Sequence, residues 1–326
     1  MIVAYLKKGA VIHPVEITAA DDALLSAALW IDLLSPTKEE EDKVESLLSV
    51  EIPSQTEMQE IEWSSRLYKE HHVLFMTATM IAQSDSTSPQ SDAVTFILTE
   101  KKLITIRYIE PQAFRLFIAR LPRLEQKEQH AEKILIGLLE STTDRLADIL
   151  ENVVHRFDDI SHSIFHNTDD KLSLKRVNYK KILQNLGMNS DLGTKIRESL
   201  LSFNRLAIFL GRNHKSKLDL DEQARLDVVV KDIKSLSDHA NFLSAKVNFL
   251  LDATLGMINI EQNTIIKSFS IAAVIFLPPM LIASIYGMNF RNIPELSWHL
   301  GYPFAIIFMT LSAWIPYLYF KRHHWL

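Results

Sequence analysis

Residues 268–286 read Ser268-Phe269-Ser270-Ile271-Ala272-Ala273-Val274-Ile275-Phe276-Leu277-Pro278-Pro279-Met280-Leu281-Ile282-Ala283-Ser284-Ile285-Tyr286, and Gly287-Met288-Asn289-Phe290 follows at once. The run carries no charge and is close to the length of about 20 residues that an apolar helix needs to cross a bilayer core. A short polar loop comes next, then a second uncharged run over 302–320, then Lys321-Arg322-His323-His324-Trp325-Leu326. One such run also describes a buried core helix. Two in tandem, joined by a short loop and followed by a basic tail, describe a membrane hairpin tied to a large soluble body.

The flanks orient the hairpin. Lys267 precedes the first span and Lys321-Arg322 follows the second, while the loop carries Arg291 and Glu295. The excess of basic residues at the two ends places both chain ends in the cytoplasm and the loop outside. Trp298 and Tyr302 on the outer side, with Tyr317, Tyr319 and Trp325 on the inner side, suit the interfacial levels. The first eight residues, Met1-Ile2-Val3-Ala4-Tyr5-Leu6-Lys7-Lys8, lack the apolar core of a signal peptide, so insertion is assigned to the hairpin.

Composition narrows the function classes. With 40 acidic and 35 basic residues, net charge -5, and no basic stripe interleaved with aromatics, a nucleic-acid partner is not indicated. The absence of cysteine excludes disulfides, iron-sulfur clusters and thiolate zinc sites. No phosphate-binding glycine loop, nucleophile elbow or zinc-protease motif is present, which leaves no case for an enzyme. Only eight glycines in 326 residues fits a largely helical chain.

The organisation read from the pattern is an α+β cytoplasmic domain with a mixed sheet over 1–125, a long helical stalk over 126–266, and a transmembrane hairpin over 267–326 with its outer loop near 290–301. In the first part, 2–6 and 11–17 read as a hairpin around Lys7-Lys8-Gly9, and 30–34 as a buried strand. Thr37 with Glu40 fits a capping box for the next helix. Residues 73–82, 93–98 and 103–108 read as strands, with a turn at Glu100-Lys101-Lys102 and a polar loop over 84–91. Helical periodicity then predicts one helix to about 165, a turn at Asp169-Asp170-Lys171, helices over 173–186 and 191–210, and a polar end over 211–217. A last helix starts near the acid-rich Asp219-Leu220-Asp221-Glu222. No signal before Leu277 is strong enough to stop it, and Pro278-Pro279 predicts a kink that a membrane helix tolerates. Carried to Asn289 it spans about 70 residues, or about 105 Å. Such a helix needs neighbours, which points to an oligomer.

One face of that helix holds Asp252, Gly256, Asn259, Asn263, Ile266, Ser270, Ala273, Leu277, Met280, Ser284 and Asn289, at steps of mostly three or four residues. In lipid its polar members are costly on a lone helix. In a symmetric ring they line a water-filled path, with amide rings at Asn259 and Asn263 and a constriction at Leu277 and Met280. The other meaning of the same stripe is amides that bond packed helices together. Asp158, His162 and His166 also share a helical face, with His155 nearby; that pattern suits a Zn²⁺, Co²⁺ or Ni²⁺ site and equally a solvated surface.

The segment from Asn259-Ile260-Glu261-Gln262-Asn263 through Tyr286-Gly287-Met288-Asn289-Phe290, Pro294-Glu295-Leu296, Gly301-Tyr302-Pro303 and Tyr319-Phe320-Lys321-Arg322-His323-His324-Trp325-Leu326 resembles the CorA family of magnesium channels. The tripeptide alone says little, since Gly187-Met188-Asn189 repeats it in what reads as a polar turn between soluble helices. The resemblance implies a homopentameric channel in the inner membrane, with Mg²⁺ as cargo and as regulatory ligand, and Co²⁺ or Ni²⁺ as further cargo. It implies an outer entrance at Gly287, Met288 and Asn289, with Asn289 as the selectivity ring. Mg²⁺ dehydrates reluctantly, so neutral amide oxygens that accept hydrogen bonds from its waters suit it. Gly287 is expected to allow the backbone turn. Inward flow is driven by membrane potential, roughly 4.6 kcal/mol per 100 mV for a divalent ion.

The resemblance also implies an inner amide ring at Asn263, an acidic mouth at Asp252, and gate positions at Leu277 and Met280. Met280 departs from the threonine that many relatives carry. Arg291 departs from an acidic residue, leaving Glu295 alone in the loop, and Arg291→Glu is expected to raise Mg²⁺ uptake at low salt. Regulatory carboxylates are implied between neighbouring cytoplasmic domains; Asp227 or Asp232 on the long helix and Asp85 or Asp92 in the polar loop are the candidates. A zinc-transporting relative of the same architecture, and a membrane-anchored coiled-coil adaptor that conducts nothing, are the other readings.

Overall fold

The computed structural model describes residues 1–8, 11–17, 21–86, 88–123, 130–165, 178–289, 298–323 and 325. The chain forms two compact units, Met1–Leu251 and Asp252–Leu326.

The first unit is built on a seven-stranded sheet in the order β2-β1-β3-β7-β6-β5-β4. Its strands are β1 (Ile2–Lys8), β2 (Val11–Glu16), β3 (Trp30–Leu34), β4 (Leu67–Glu70), β5 (Val73–Ala82), β6 (Gln90–Leu98) and β7 (Leu103–Arg107). β3 and β7 run parallel, in register Trp30 with Leu103 and Asp32 with Thr105, and the other neighbours are antiparallel. The mixed sheet read from the sequence is therefore present. Side chains alternate across it, as the period of two in a strand requires. Ile31, Leu33, Ile104 and Ile106 enter a core with Leu25 of α1 (Asp22–Ala27), Val44 of α2 (Lys38–Leu48) and Met58 of α3 (Gln55–Met58).

The opposite sheet face holds a buried polar cluster. Arg107 donates to both carboxylate oxygens of Asp32, at 2.7 Å from Nη2 to Oδ2, and Thr105 Oγ1 donates to Asp32 Oδ1 at 2.7 Å. Trp30 Nε1 donates to Thr105 Oγ1 at 2.9 Å, and the guanidinium lies 4.8 Å from the ring centre of Phe114. The polar groups of this cluster thus satisfy one another, the condition under which a buried ion pair is tolerable. Phe114 lies on α5 (Gln112–Arg120), which with the short α4 (Trp63–Arg66), α1, α3 and β4 had no counterpart in the sequence reading.

Two long helices follow, α6 (Ala131–Phe165) and α7 (Tyr179–His214). α7 is fastened to the sheet at Thr79: Ser199 Oγ donates to its carbonyl at 2.7 Å and its amide donates to Ser202 Oγ at 3.0 Å. α7 corrects two expectations. It runs unbroken through Gly187-Met188-Asn189, where a turn was expected, and it continues past Gly211 to His214. The first result follows from packing. Ile182, Leu186, Asn189, Leu192 and Ile196 form one continuous buried stripe, and Gly187 weakens a helix by only about 1 kcal/mol. Asn189 stays helical because Nδ2 donates back to the Asn185 carbonyl at 2.8 Å, while its Oδ1 accepts from Arg156 at 3.3 Å. The second follows from His214, which is buried 2.8 Å from the Glu132 carboxylate. Burial pushes the Glu132 carboxyl up, but the hydrogen bond and charge of His214 outweigh it and hold the group below the usual carboxylate range. The turn expected at 169–171 and the start expected at 173 lie outside the described residues.

The capping box at Thr37 and Glu40 is formed in both directions. A similar exchange starts α8 (Leu220–Tyr286): Glu222 donates its amide to Asp219 Oδ1 at 2.7 Å and accepts from the Asp219 amide at 3.0 Å. α8 is a single helix of 67 residues that includes Pro278 and Pro279, as the lack of stop signals predicted. α9 (Gly301–Arg322) completes the second unit.

Candidate functional site

α8 and α9 are the two described helices long and apolar enough to cross a membrane. Only 6% and 11% of their apolar windows are buried, so neither is the core helix of a soluble protein. From 265 to 286 of α8 and along α9 the buried residues are few, Ile271 of α8 with Gly301, Ala305 and Phe320 of α9. Bulky side chains such as Phe269, Phe276, Phe304 and Ile315 point outward, which suits lipid or further protein and not water. Trp298, Tyr302, Tyr317, Tyr319 and Trp325 are exposed at the helix ends where interfacial aromatics were expected.

Each member of the predicted stripe lies on an exposed part of the second unit. Asp252, Gly256, Asn259, Asn263, Ile266, Ser270, Ala273, Leu277, Met280 and Ser284 are all exposed on α8. No hydrogen bond joins the Asn259 or Asn263 side chain to α9 among the described residues, and both are exposed. Their amides therefore do not glue the two spans of one chain together. By contrast the off-stripe hydroxyls Thr264 and Ser268 are turned back to their own helix, donating to the Ile260 and Thr264 carbonyls at 2.9 Å.

Gly287, Met288 and Asn289 follow the last turn of α8, all three exposed. The Gly287 amide donates to the Ala283 carbonyl at 2.9 Å and the Met288 amide to the Ile285 carbonyl at 3.2 Å. Gly287 was expected to serve the turn by its conformational freedom. Its backbone lies outside the left-handed region, and a Cβ would make a tight approach of 3.2 Å to the Ala283 carbonyl oxygen at the end of its own helix. The negative end of the α8 dipole faces this tripeptide, which favours a cation there. Arg291 and Glu295, expected to set the loop electrostatics, lie outside the described residues.

Lower in the span, Pro278 and Pro279 have no amide hydrogen to give to the carbonyls of Val274 and Ile275, four residues back. Two consecutive rungs of the helix ladder are therefore missing, just below the Leu277–Met280 level. Ile275, Phe276 and Pro279 line a groove of about 530 Å³ with Met309, Thr310, Ala313, Trp314 and Tyr317 of α9.

The expected regulatory acids fare unequally. Asp85 accepts from Arg145 at 2.9 Å, and Asp92 accepts from Gln59 at 3.2 Å and from the Ala93 amide at 2.8 Å. Both are thus engaged within the chain. Asp227 and Asp232 are exposed on α8. Asp232 borders a cleft of about 310 Å³ with Glu140, Asp144, Arg120 and Arg225, where Arg225 pairs with Glu140 at 2.6 Å. Among the described residues no three acidic or histidine side chains converge as a metal site. Of the helical Asp-His face, Asp158 is bonded to Lys246 and His155 is exposed beside Glu151, while His166 lies outside the described residues.

Sequence reading missed one arrangement at the end of the hairpin away from Gly287-Met288-Asn289. The Lys267 ammonium lies 4.8 Å from the ring centre of Trp325, which also stacks on Phe320 at 5.7 Å. The signal was present, a lone basic residue before the first span and an aromatic beyond the second, but nothing in the order of residues joins them.

Comparison with known proteins gives concordant matches. Residues 26–322 match the model of a family described as CorA-like Mg²⁺ transporter protein. A magnesium transport protein CorA of Pectobacterium atrosepticum is 35% identical over 319 residues, covering 95% of each chain. The protein of the same description from Escherichia coli K12 is 38% identical over 307 residues, covering 92% of each. The fold is similar to that of the CorA magnesium transporter from Methanocaldococcus jannaschii, with a TM-score of 0.75 over 100% of this chain and 99% of that one at 18% identity. It is also similar to the ZntB cytoplasmic domain of Vibrio parahaemolyticus, at a TM-score of 0.56, 11% identity, and 79% and 97% coverage.

Proposed function

This chain belongs to the CorA family of Mg²⁺ transporters, and we propose that it works as a homopentameric channel of the inner (cytoplasmic) membrane, with both chain ends in the cytoplasm. α8 of each copy faces a common axis, and Mg²⁺ enters down the membrane potential. The observation that carries this reading is the exposed stripe from Asp252 to Ser284, which no described helix of its own chain covers and which leads to Asn289. Turned to an axis, the stripe supplies carboxylates at Asp252, amides at Asn259 and Asn263, an apolar level at Ile266, Ala273, Leu277 and Met280, and hydroxyls at Ser270 and Ser284. Asn289 accepts hydrogen bonds from the water shell of the ion and so selects it without stripping that shell. The missing rungs at Val274 and Ile275 add carbonyl oxygens that need water or a neighbouring chain.

Gating by intracellular Mg²⁺ rests on carboxylates that neighbouring copies bring together. Asp227 and Asp232 are the acids available for that role, since Asp85 and Asp92 are already bonded. Binding of Mg²⁺ bridges them and favours the closed form; its loss leaves like charges to repel.

The test is flux into liposomes with Mg²⁺, Zn²⁺, Co²⁺ and Ni²⁺ outside, with and without Mg²⁺ inside. Mg²⁺ uptake is expected, with Co²⁺ and Ni²⁺ passing more slowly, and internal Mg²⁺ is expected to suppress all three. Asn289→Ala is expected to cut Mg²⁺ flux about tenfold to a hundredfold, given about 1.5–3 kcal/mol per hydrogen bond to a charged partner. Zn²⁺ flux without Mg²⁺ flux would move the chain to zinc transport, and no flux at all to an adaptor role.

A further inference from the structure

Lys267 stands on the shoulder of the stripe, four residues after Asn263 and three before Ser270. Its flexible four-carbon stem can carry the ammonium either toward the stripe or away from it. In the structure the charge goes away from it, onto the face of Trp325 at 4.8 Å. Trp325 is itself fixed. Its amide donates to the Phe320 carbonyl at 3.0 Å, and its ring stacks on Phe320 at 5.7 Å with the planes 19° apart. Phe320 is one of the few buried residues of α9. The aromatic pair thus forms a shelf beyond the end of α9, and Lys267 lies against it.

We propose that Trp325 is a positioning residue for conduction: by a cation–π contact it holds the Lys267 charge out of the ion path. This deepens the channel reading and rests on it. A released ammonium between Asn263 and Ser270 would form a positive ring in every copy, at the level where a divalent cation leaves the membrane field. Like charge there raises the barrier to passage, and the low dielectric of the span makes the repulsion stronger than in water. Any quadrupolar face in that place retains the tether, whereas an apolar side chain of similar bulk does not.

The experiment measures initial Mg²⁺ uptake by the full chain in liposomes, normalised to inserted protein. Trp325→Ala and Trp325→Leu are both expected to lower the rate about fivefold or more, in the range that loss of a desolvated cation–π contact allows. Leucine keeps apolar packing on Phe320, so it reads the tether even where alanine impairs insertion. Trp325→Phe is expected to stay within about twofold of the parent. Adding Lys267→Gln to Trp325→Leu is expected to restore the rate, because the freed charge is gone. A leucine variant as fast as the parent, or a double variant as slow as the single one, overturns the proposal and leaves Trp325 a packing residue. Asn289→Ala run alongside separates the two levels. If it is dead while the Trp325 series is flat, only this inference fails; if the parent itself conducts nothing, the channel reading fails and takes this one with it.

Discussion

The chain contains the same tripeptide twice, and the same substitution in the two copies is expected to give opposite results. Gly187 lies inside α7, and beyond its chain neighbours and the adjacent backbone of its own helix no atom comes within 4 Å of the place a Cβ would occupy, so Gly187→Ala replaces a poor helix former by the best one without a clash. The gain is about 0.8–1 kcal/mol. For a folding unit of this size that raises Tm by roughly 2–4 °C. Mg²⁺ flux should not change. Gly287→Ala instead puts a methyl 3.2 Å from the Ala283 carbonyl oxygen and 3.6 Å from that of Ser284. The nearer oxygen already accepts the Gly287 amide at 2.9 Å, so it cannot retreat alone. Relief requires the segment from Gly287 to Asn289 to shift by a few tenths of an ångström, and every copy in a ring shifts alike. The proposed ring, which reads a hydration shell, depends on such distances, and a fall in flux of about tenfold is expected, with little change in Tm. The assays are differential scanning calorimetry of the detergent-solubilised chain and Mg²⁺ uptake in liposomes. Parent-like flux from Gly287→Ala, or a loss of stability from Gly187→Ala, would refute the reasoning.

Other outcomes follow from the first unit and the hairpin loop. Arg107→Met leaves the buried Asp32 carboxylate without its cation and is expected to cost about 3–5 kcal/mol, whereas Asp32→Asn combined with it should recover part of that; chemical denaturation of both variants checks the difference. Glu132 has a lowered pKa in the fold, so its pair with His214 adds stability at pH values above the ordinary carboxylate range and loses it as pH falls through the lowered value. Glu132→Gln should therefore flatten the acid limb of a Tm-against-pH curve and leave the limb near neutrality parallel to the parent. Arg291→Glu should raise Mg²⁺ uptake at low ionic strength and lose that advantage at high salt, since attraction acting through water is screened over about 10 Å at 0.1 M.

Much of the membrane part was legible because the bilayer imposes a length and a polarity that few other settings demand. The two apolar spans could be read from length and polarity, and the unbroken α8 from the lack of stop signals. The capping box at Thr37 was legible for a similar reason, since both of its hydrogen bonds join residues three apart. Contacts between distant residues were not. Nothing in the order of residues couples Asp85 to Arg145, Lys267 to Trp325, or Asp32 to Arg107, because each pair meets only after elements have packed. The turn expected at Gly187-Met188-Asn189 failed on another count. Local glycine and asparagine preferences argue for a break, and the buried stripe of α7, with the Arg156 contact to Asn189, outweighs them.

The proline pair in α8 sets where the first span yields. A rod with two vacant rungs side by side flexes at that point before it flexes anywhere else, because no further hydrogen bond has to break. From Ile275 to the helix end at Tyr286 is about 16 Å at 1.5 Å per residue. A tilt of about 5° at this joint therefore swings the far tip by about 1.4 Å, comparable to the radius of a water molecule. In the proposed ring, opposite tips would thereby part or approach by about 2.8 Å, one water diameter, while the lower shaft stays still.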